Sequence, residues 1–381
     1  MIVVQSVLIS FVLLLMAYII PVDKDRMFIN SPFRPDMTSK MSKVLINFSD
    51  SIPDDTLTIY YSAAAYPEAV SRNIHTAVCI DSLCRLVDIR LFWEITGKFM
   101  GYSIPWGEEL TKREHTPFSD ADYKKLTEIL SDSASQLGFY TLNEIHPVKH
   151  SVTRADGITG ATAPDLASWI VPEAAYTSIT LWHLTYGATR DSIMAYSKSH
   201  LVSNQLLTCL LQTVDPYNQK KALGWIGDSK LSDNQFIEYA LSILHGTNYQ
   251  SSLQALKFLK PSSIDKERLQ IEVISLLGSE DFRIKNLAIE YIRESEKLTR
   301  KVALNLMTQL TSDNYYLVNV ILTLLEKRYN PDSQDQLTLC SLLNSKNGNV
   351  SDRVYYFLLN LPNHSSDIAK QLNRYRRKNL N

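Results

Sequence analysis

Few residues in this chain of 381 stand at spacings that chemistry uses. The run Asp156-Gly-Ile-Thr-Gly-Ala-Thr162 sets a carboxylate and two hydroxyls among small neighbours. Asp156 and Thr159 can bond the loop's own backbone, as Asx and ST turns do. Gly160 admits backbone angles closed to other residues, and a Gly-flanked loop of free N–H groups can hold a phosphate. The same run also reads as a capped turn before a helix over 165–171. Cys79 and Cys84 form the one close Cys pair, open to three readings: a disulfide or free thiols, a redox pair, or half of a metal-ligand set. His146 and His150 have helical metal-ligand spacing, but Pro147 between them argues against a helix. Lys112-Arg-Glu-His115 reads as a solvated loop, with reach to a cofactor phosphate or a substrate as the alternative. Cys209 and Cys340 fall in apolar helical segments and read as packing residues. No Ser-His-Asp arrangement, Walker loop or His-Glu-x-x-His run is present, and no metal site is expected.

The run 156–162 fits the pattern Asp, two variable residues, Ser/Thr, Gly, Ala, Thr. It resembles the flavinylation motif of the FMN-binding domains of bacterial respiratory complexes and related exported electron carriers. The resemblance is clear over 156–162 and faint over roughly 75–195. It implies FMN joined by a phosphoester to the last Thr, here Thr162, by a separate flavin transferase outside the cytoplasmic membrane. It also implies that Asp156, Thr159, Gly160 and Ala161 shape the loop that the transferase enters. The family has a further Thr or Ser soon after the acceptor, and here Ala163-Pro164 follows. Tyr176, Trp182 and His183 could line a flavin ring, with an amphipathic helix packed on its domain as the preferred reading. Trp93, Phe99, Tyr102 and Trp106 invite the same pair of readings, and core is again preferred.

The elements that must carry this chemistry differ along the chain. Residues 1–20 are interrupted only by Gln5, Ser6, Ser10 and Tyr18 and carry no charge. About 20 such residues cross a hydrocarbon core of roughly 30 Å, so 1–21 reads as an export signal or an uncleaved anchor helix, the latter preferred. Residues 22–50 read as a polar linker. Residues 51–198 read as an α+β domain. Its expected strands include Leu57–Tyr61 and a hairpin of Val87–Trp93 with Lys98–Ile104 about Thr96-Gly97. Its expected helix runs from an N-cap at Ser119 to Leu130.

From 199 to 381 the texture is an array of amphipathic helices. Segments starting at Asp215, Asn248, Asp281 and Asn314 align without gaps. Ala222, Ala255, Ala288 and Ile321 are each 33 apart, as are Trp225, Phe258, Tyr291 and Leu324. Tyr217, Tyr249, Phe282 and Tyr315 keep nearly the same interval, and Val350–Leu359 is a looser fifth copy. One helix pair cannot bury its apolar face alone, but a stack can. The array resembles a HEAT-like α-solenoid, in which the small Ala lets helices approach and an aromatic fills the gap beside it.

Apolar residues make up 45% and charged residues 21%, which excludes disorder as the main state. A formal net charge of −1 gives no global field for nucleic acid. Arg374-Tyr-Arg-Arg-Lys378 reads as a solvated helix end. The expectation is therefore an exported, periplasmic or extracytoplasmic flavoprotein, anchored by residues 2–20. It carries FMN on Thr162 and relays electrons, with helical repeats that bind a redox protein partner. The alternative is a non-catalytic extracytoplasmic helical-repeat scaffold without flavin.

Overall fold

The computed structural model describes residues 24–38, 40–48, 50, 52, 55–78, 85–112, 115–140, 166–228, 234–296, 298–311 and 314–379. The chain falls into two compact units, Met1–Leu206 and Leu207–Asn381. The first holds an antiparallel sheet with helices and the second is helical. Among the described residues no helix is long and apolar enough to cross a membrane; residues 2–20 lie outside them.

The sheet of the first unit has the order β1-β6-β5-β4-β3-β2. Its strands are β1 (Arg26–Ile29), β2 (Lys40–Leu45), β3 (Thr56–Tyr61), β4 (Pro67–Thr76), β5 (Val87–Glu94) and β6 (Phe99–Ile104). Strands β2 to β6 form a meander, and β1 closes against the free side of β6. The stretch 22–50, read from its polarity as a linker, thus supplies both edge strands. Edge strands meet solvent on one side, so a polar sequence suits them; β2 has the exposed Lys40 and Lys43. β1 approaches β6 so closely that a Cβ on Gly101 (φ +142°) would lie 2.1 Å from the Phe28 carbonyl oxygen, so only glycine admits this pairing.

Period-two alternation gives the sheet two covered faces. On one side Ile89, Leu91 and Trp93 are buried beneath helices α1 (Asp120–Ser131), α2 (Ala175–Tyr186) and α3 (Ala188–Tyr196). Hydrogen bonds fix that layer. Trp93 Nε1–H donates to the Thr185 carbonyl at 3.0 Å, the Tyr102 hydroxyl to the Tyr123 carbonyl at 3.1 Å, and the Tyr186 hydroxyl to the Leu130 carbonyl at 2.7 Å. On the other side Phe33 closes over Tyr60, Ala69, Phe92 and Met100. Helix α1 starts at a capping box in which Ser119 and Asp122 bond each other's backbone N–H.

Strand β4 carries an exception to the apolar pattern. Arg72 is 0% exposed, and its guanidinium lies 3.8 Å from the Phe48 ring centroid. It donates to Asp50 at 2.5 and 2.9 Å and to the Thr189 hydroxyl at 2.8 Å. This cluster ties the sheet, the β2–β3 connection and α3 together. Burial works to raise the Asp50 carboxyl, but its bonds to Arg72, the Ile52 N–H and Thr189 win and hold it below the usual 3.8.

The second unit alternates helices α4 (Asn204–Gln212), α6 (Asn234–Leu244), α8 (Lys266–Ser275), α10 (Arg300–Thr308), α12 (Ser333–Cys340) and α14 (Ser366–Asn379) with α5 (Pro216–Asp228), α7 (Tyr249–Leu259), α9 (Phe282–Glu294), α11 (Tyr315–Arg328) and α13 (Gly348–Leu359). The 33-residue period runs through both sets. Leu207, Ala240, Val273, Leu306, Leu339 and Leu372 are buried in the first set, and Ala222, Ala255, Ala288, Ile321 and Val354 in the second. Asp215, Asn248, Asp281, Asn314 and Asn347, also 33 apart, accept backbone N–H bonds at the starts of α5, α7, α9, α11 and α13. The looser fifth copy is therefore in register.

One expectation about the array changes. The aromatics at the helix starts do not fill the gap beside the Ala: Phe282 is 62% and Tyr315 42% exposed, while Tyr217 and Tyr249 are half-buried. They occupy the first turns of their helices. Three residues after each Ala or Ile, Trp225, Phe258 and Leu324 are buried and Tyr291 is half-buried. The array also carries a buried ionic group, Asp335. It stands in line with the buried Phe236, Leu269, Val302 and Ile368, yet is itself 0% exposed. The Asp332 N–H, the Tyr329 hydroxyl and Arg300 satisfy it. Ion pairs such as Arg268–Glu238, Lys301–Glu267 and Lys260–Glu294 link one repeat to the next. Exposed pairs contribute little energy each, so packing carries the stability.

Arg72→Met leaves Asp50 and Thr189 without their donor, and since the Asp50 carboxylate can reach solvent it costs the first unit about 1–3 kcal/mol, read as a lowered thermal midpoint. Because the native Asp50 value is depressed, its contribution is complete above 3.8 and is lost as pH falls through the lowered value. Asp50→Asn therefore flattens the acid limb of the melting curve. In the second unit, Ala255→Leu overpacks a site of 0% exposure and costs about 1–3 kcal/mol in denaturant unfolding.

Candidate functional site

The motif residues Asp156, Thr159, Gly160, Ala161 and Thr162 lie outside the described residues, as do Cys79, Cys84, His146 and His150. The structure describes the platform on which residues 141–165 begin and end. Upstream is a 3-10 turn, Gln136–Phe139, capped by the Ser135 hydroxyl. Downstream is a second, Leu166–Trp169, and the two turns touch each other. A Pro172-Glu173 bend, with Glu173 at φ +62°, then leads into α2.

Helix α2 clamps the upstream turn. Trp182 Nε1–H donates to the Asp132 carbonyl at 2.9 Å. His183 Nε2 lies 2.8 Å from the Tyr140 carbonyl. A carbonyl only accepts, so Nε2–H is the donor. A Cβ on Gly138 would come within 2.9 Å of the Trp182 ring, so a glycine is required at this contact. The Trp182 ring is 8% exposed and packs against Tyr186 at 5.0 Å and edge-on to His183 at 5.3 Å. Its surfaces are taken by protein, as in the packed-helix reading, and it offers no open face for a flat ring. His183 and Tyr176 are half-buried.

The remaining candidates separate. Trp93 and Tyr102 are core residues at 0% exposure, and burial pushes the Tyr102 phenol up. Phe99 is half-buried, and Trp106 is 59% exposed, so the core reading does not hold for it. Lys112 is neither a solvated loop residue nor free for a phosphate: its ammonium lies 3.0 Å from Asp122, with both side chains largely covered. Burial works to raise the Asp122 carboxyl, but Ser119 and Lys112 outweigh it and hold the group below its usual range. Cys340 is a buried free thiol, pushed up by burial, and Cys209 is a half-buried one. Among the described residues no group of three His, Cys, Asp or Glu is placed to hold a metal.

Sequence reasoning missed the contacts that build this platform. Asp132, Gly138 and Tyr140 act through a packing glycine and two backbone carbonyls, which carry no side-chain signature. The sequence signals on hand were the Gly138 position and the polar ends of Trp182 and His183, which seek partners when covered. No family model matches the chain, and neither a curated protein nor a solved structure matches it.

Proposed function

We propose that the chain is an exported or membrane-anchored flavoprotein that carries FMN on Thr162 and relays electrons. The observation that carries this reading is the run Asp156–Thr162, with its acceptor hydroxyl beside Gly160 and Ala161. Two features support it. The uncharged residues 2–20 suit a chain handled outside the cytoplasmic membrane, where such a bond is made. The run also lies in the chain between two 3-10 turns that touch, Gln136–Phe139 and Leu166–Trp169.

In this reading Thr162 supplies the hydroxyl that becomes the phosphoester. Asp156 and Thr159 shape the loop, and the small Gly160 and Ala161 leave room for the transferase. Bound flavin supplies the redox chemistry, and the protein tunes access and potential. Covalent attachment keeps a soluble cofactor from diffusing away outside the cell. The flavin transferase and a redox protein are the partners. The 33-residue array acts as a HEAT-like α-solenoid that binds the redox protein. The Trp182 ring takes no part in stacking on the flavin, because Tyr186, His183 and Gly138 already occupy its surroundings.

A second reading is a non-catalytic extracytoplasmic scaffold without flavin. The exposed Phe282, Tyr315, Tyr316 and Tyr356 favour it, since apolar rings on a helical array suit protein contact. Co-expression with a flavin transferase separates the two. The wild-type chain is expected to fluoresce as flavin in a denaturing gel, and Thr162→Ala to be dark. A dark wild-type chain under those conditions removes the flavin reading and leaves the scaffold.

A further inference from the structure

One end of the first unit's sheet gathers the start of β1, the end of β6 and the start of β5. Arg26 pairs opposite Ile104, and Arg90 opposite Ser103. This register brings Leu86 and the turn after β6 to the same end. In that turn the Glu108 N–H donates to the Pro105 carbonyl at 3.0 Å, and Gly107 has φ +79°, a value that favours glycine at the third place. The turn holds Trp106 out into solvent. It is 59% exposed, against 0%, 8% and 7% for Trp93, Trp182 and Trp225, with Trp169 half-buried. Leu86 beside it is also exposed.

Single exposed apolar residues are common, so exposure alone decides nothing. The tether to the rest of the chain is more informative. The Trp106 backbone N–H donates to Asp25 Oδ1 at 3.3 Å. Asp25 lies just beyond Pro21, which ends the uncharged run. The covalent chain from Pro21 to Asp25 spans at most about 14 Å even when fully extended. Whatever path it takes, Trp106 stays close to the end of that run.

We propose that this sheet end, with Trp106 at its tip and Leu86 beside it, rests in the headgroup layer of the membrane that residues 2–20 enter. The inference builds on the anchored form of the reading above. Tryptophan favours the membrane–water interface because its ring is apolar and its N–H is polar. The headgroup layer is about 5–7 Å deep on each side of the hydrocarbon core, well within the tether's reach. Among the described residues here the cations are engaged: Arg85 pairs with Glu108 and Glu109, Arg26 with Asp120, Arg90 with Asp25, and Lys24 lies 4.0 Å from Asp36. The ring therefore makes the contact, and zwitterionic lipid suffices. The far end of the unit points away from the lipid. The Asn30 side chain bonds Ser131 at 3.3 Å, placing the end of α1 beside the other end of β1, and the exposed Phe139 follows in that region.

Intrinsic fluorescence tests this on the full chain reconstituted into phosphatidylcholine vesicles, with and without bromine on shallow acyl carbons. Flotation first reads whether the chain is anchored. The wild-type chain is expected to float, and its exposed-tryptophan emission to be quenched by the brominated lipid. Trp106→Phe is expected to float but to lose that quenched component. Phe139→Trp in the Trp106→Phe background is expected to restore an emission that aqueous iodide quenches and brominated lipid does not. If the chain floats while wild type and Trp106→Phe show the same lipid quenching, the docking face is overturned and the anchor stands. If Trp106 emission in the floating chain remains open to iodide, the outcome is the same. If the chain does not float, the anchor reading fails and the docking face with it.

Discussion

Nearly every element in both units is apolar on one side and must find cover for that side. A sheet presents faces and a helix presents a stripe, so the cover takes two forms. In the first unit the sheet is covered by α1, α2 and α3 on one face and by Phe33 over a small aromatic cluster on the other. In the second, each helix pair is covered by the next pair, and the requirement repeats every 33 residues. Small side chains at Ala222, Ala255 and Ala288 admit the close approach, and the caps from Asp215 to Asn347 start each second helix at the same depth.

Two ionic groups sit where this constraint asks for carbon. Arg72 lies in the sheet core and Asp335 in the helical array, each at 0% exposure. Each is tolerated because its partners come with it: Asp50, Thr189 and the Phe48 ring for Arg72, and Arg300, Tyr329 and the Asp332 N–H for Asp335. A buried ion pair adds little net stability over a well-packed apolar pair, but losing one partner is costly. Arg72 thus makes the β2–β3 connection and α3 mutually dependent, since both are needed to satisfy one guanidinium.

Much of the architecture was legible in the sequence. The β3, β5 and β6 runs, the β5–β6 hairpin and the Ser119 cap are local features, set by alternation and turn chemistry within a few residues. The array was legible because repetition multiplies a weak signal. Strands β1 and β2 were not, since an edge strand needs little apolar character and their pairing partners are distant in the chain. Strand β4 was obscured by Arg72, whose burial only the pairing with Asp50 allows. The flavin motif, by contrast, is readable solely in the sequence: what the structure adds is the clamp of Trp182 and His183 on the turn before it, made through backbone carbonyls.

By itself, the sequence determined the periods: two for the strands, 3.6 for the helices and 33 for the array, together with an uncharged first segment and one hydroxyl-bearing motif. These follow from residue type and spacing. Tertiary structure alone decided which side chains meet. It buried Trp182, engaged Lys112 with Asp122, left Phe282 and Trp106 in solvent, and brought Trp106 to Asp25 across the sheet end. The reason is that period fixes the direction in which a side chain points relative to its own element. Exposure depends on whether another element, distant in sequence, arrives to cover it.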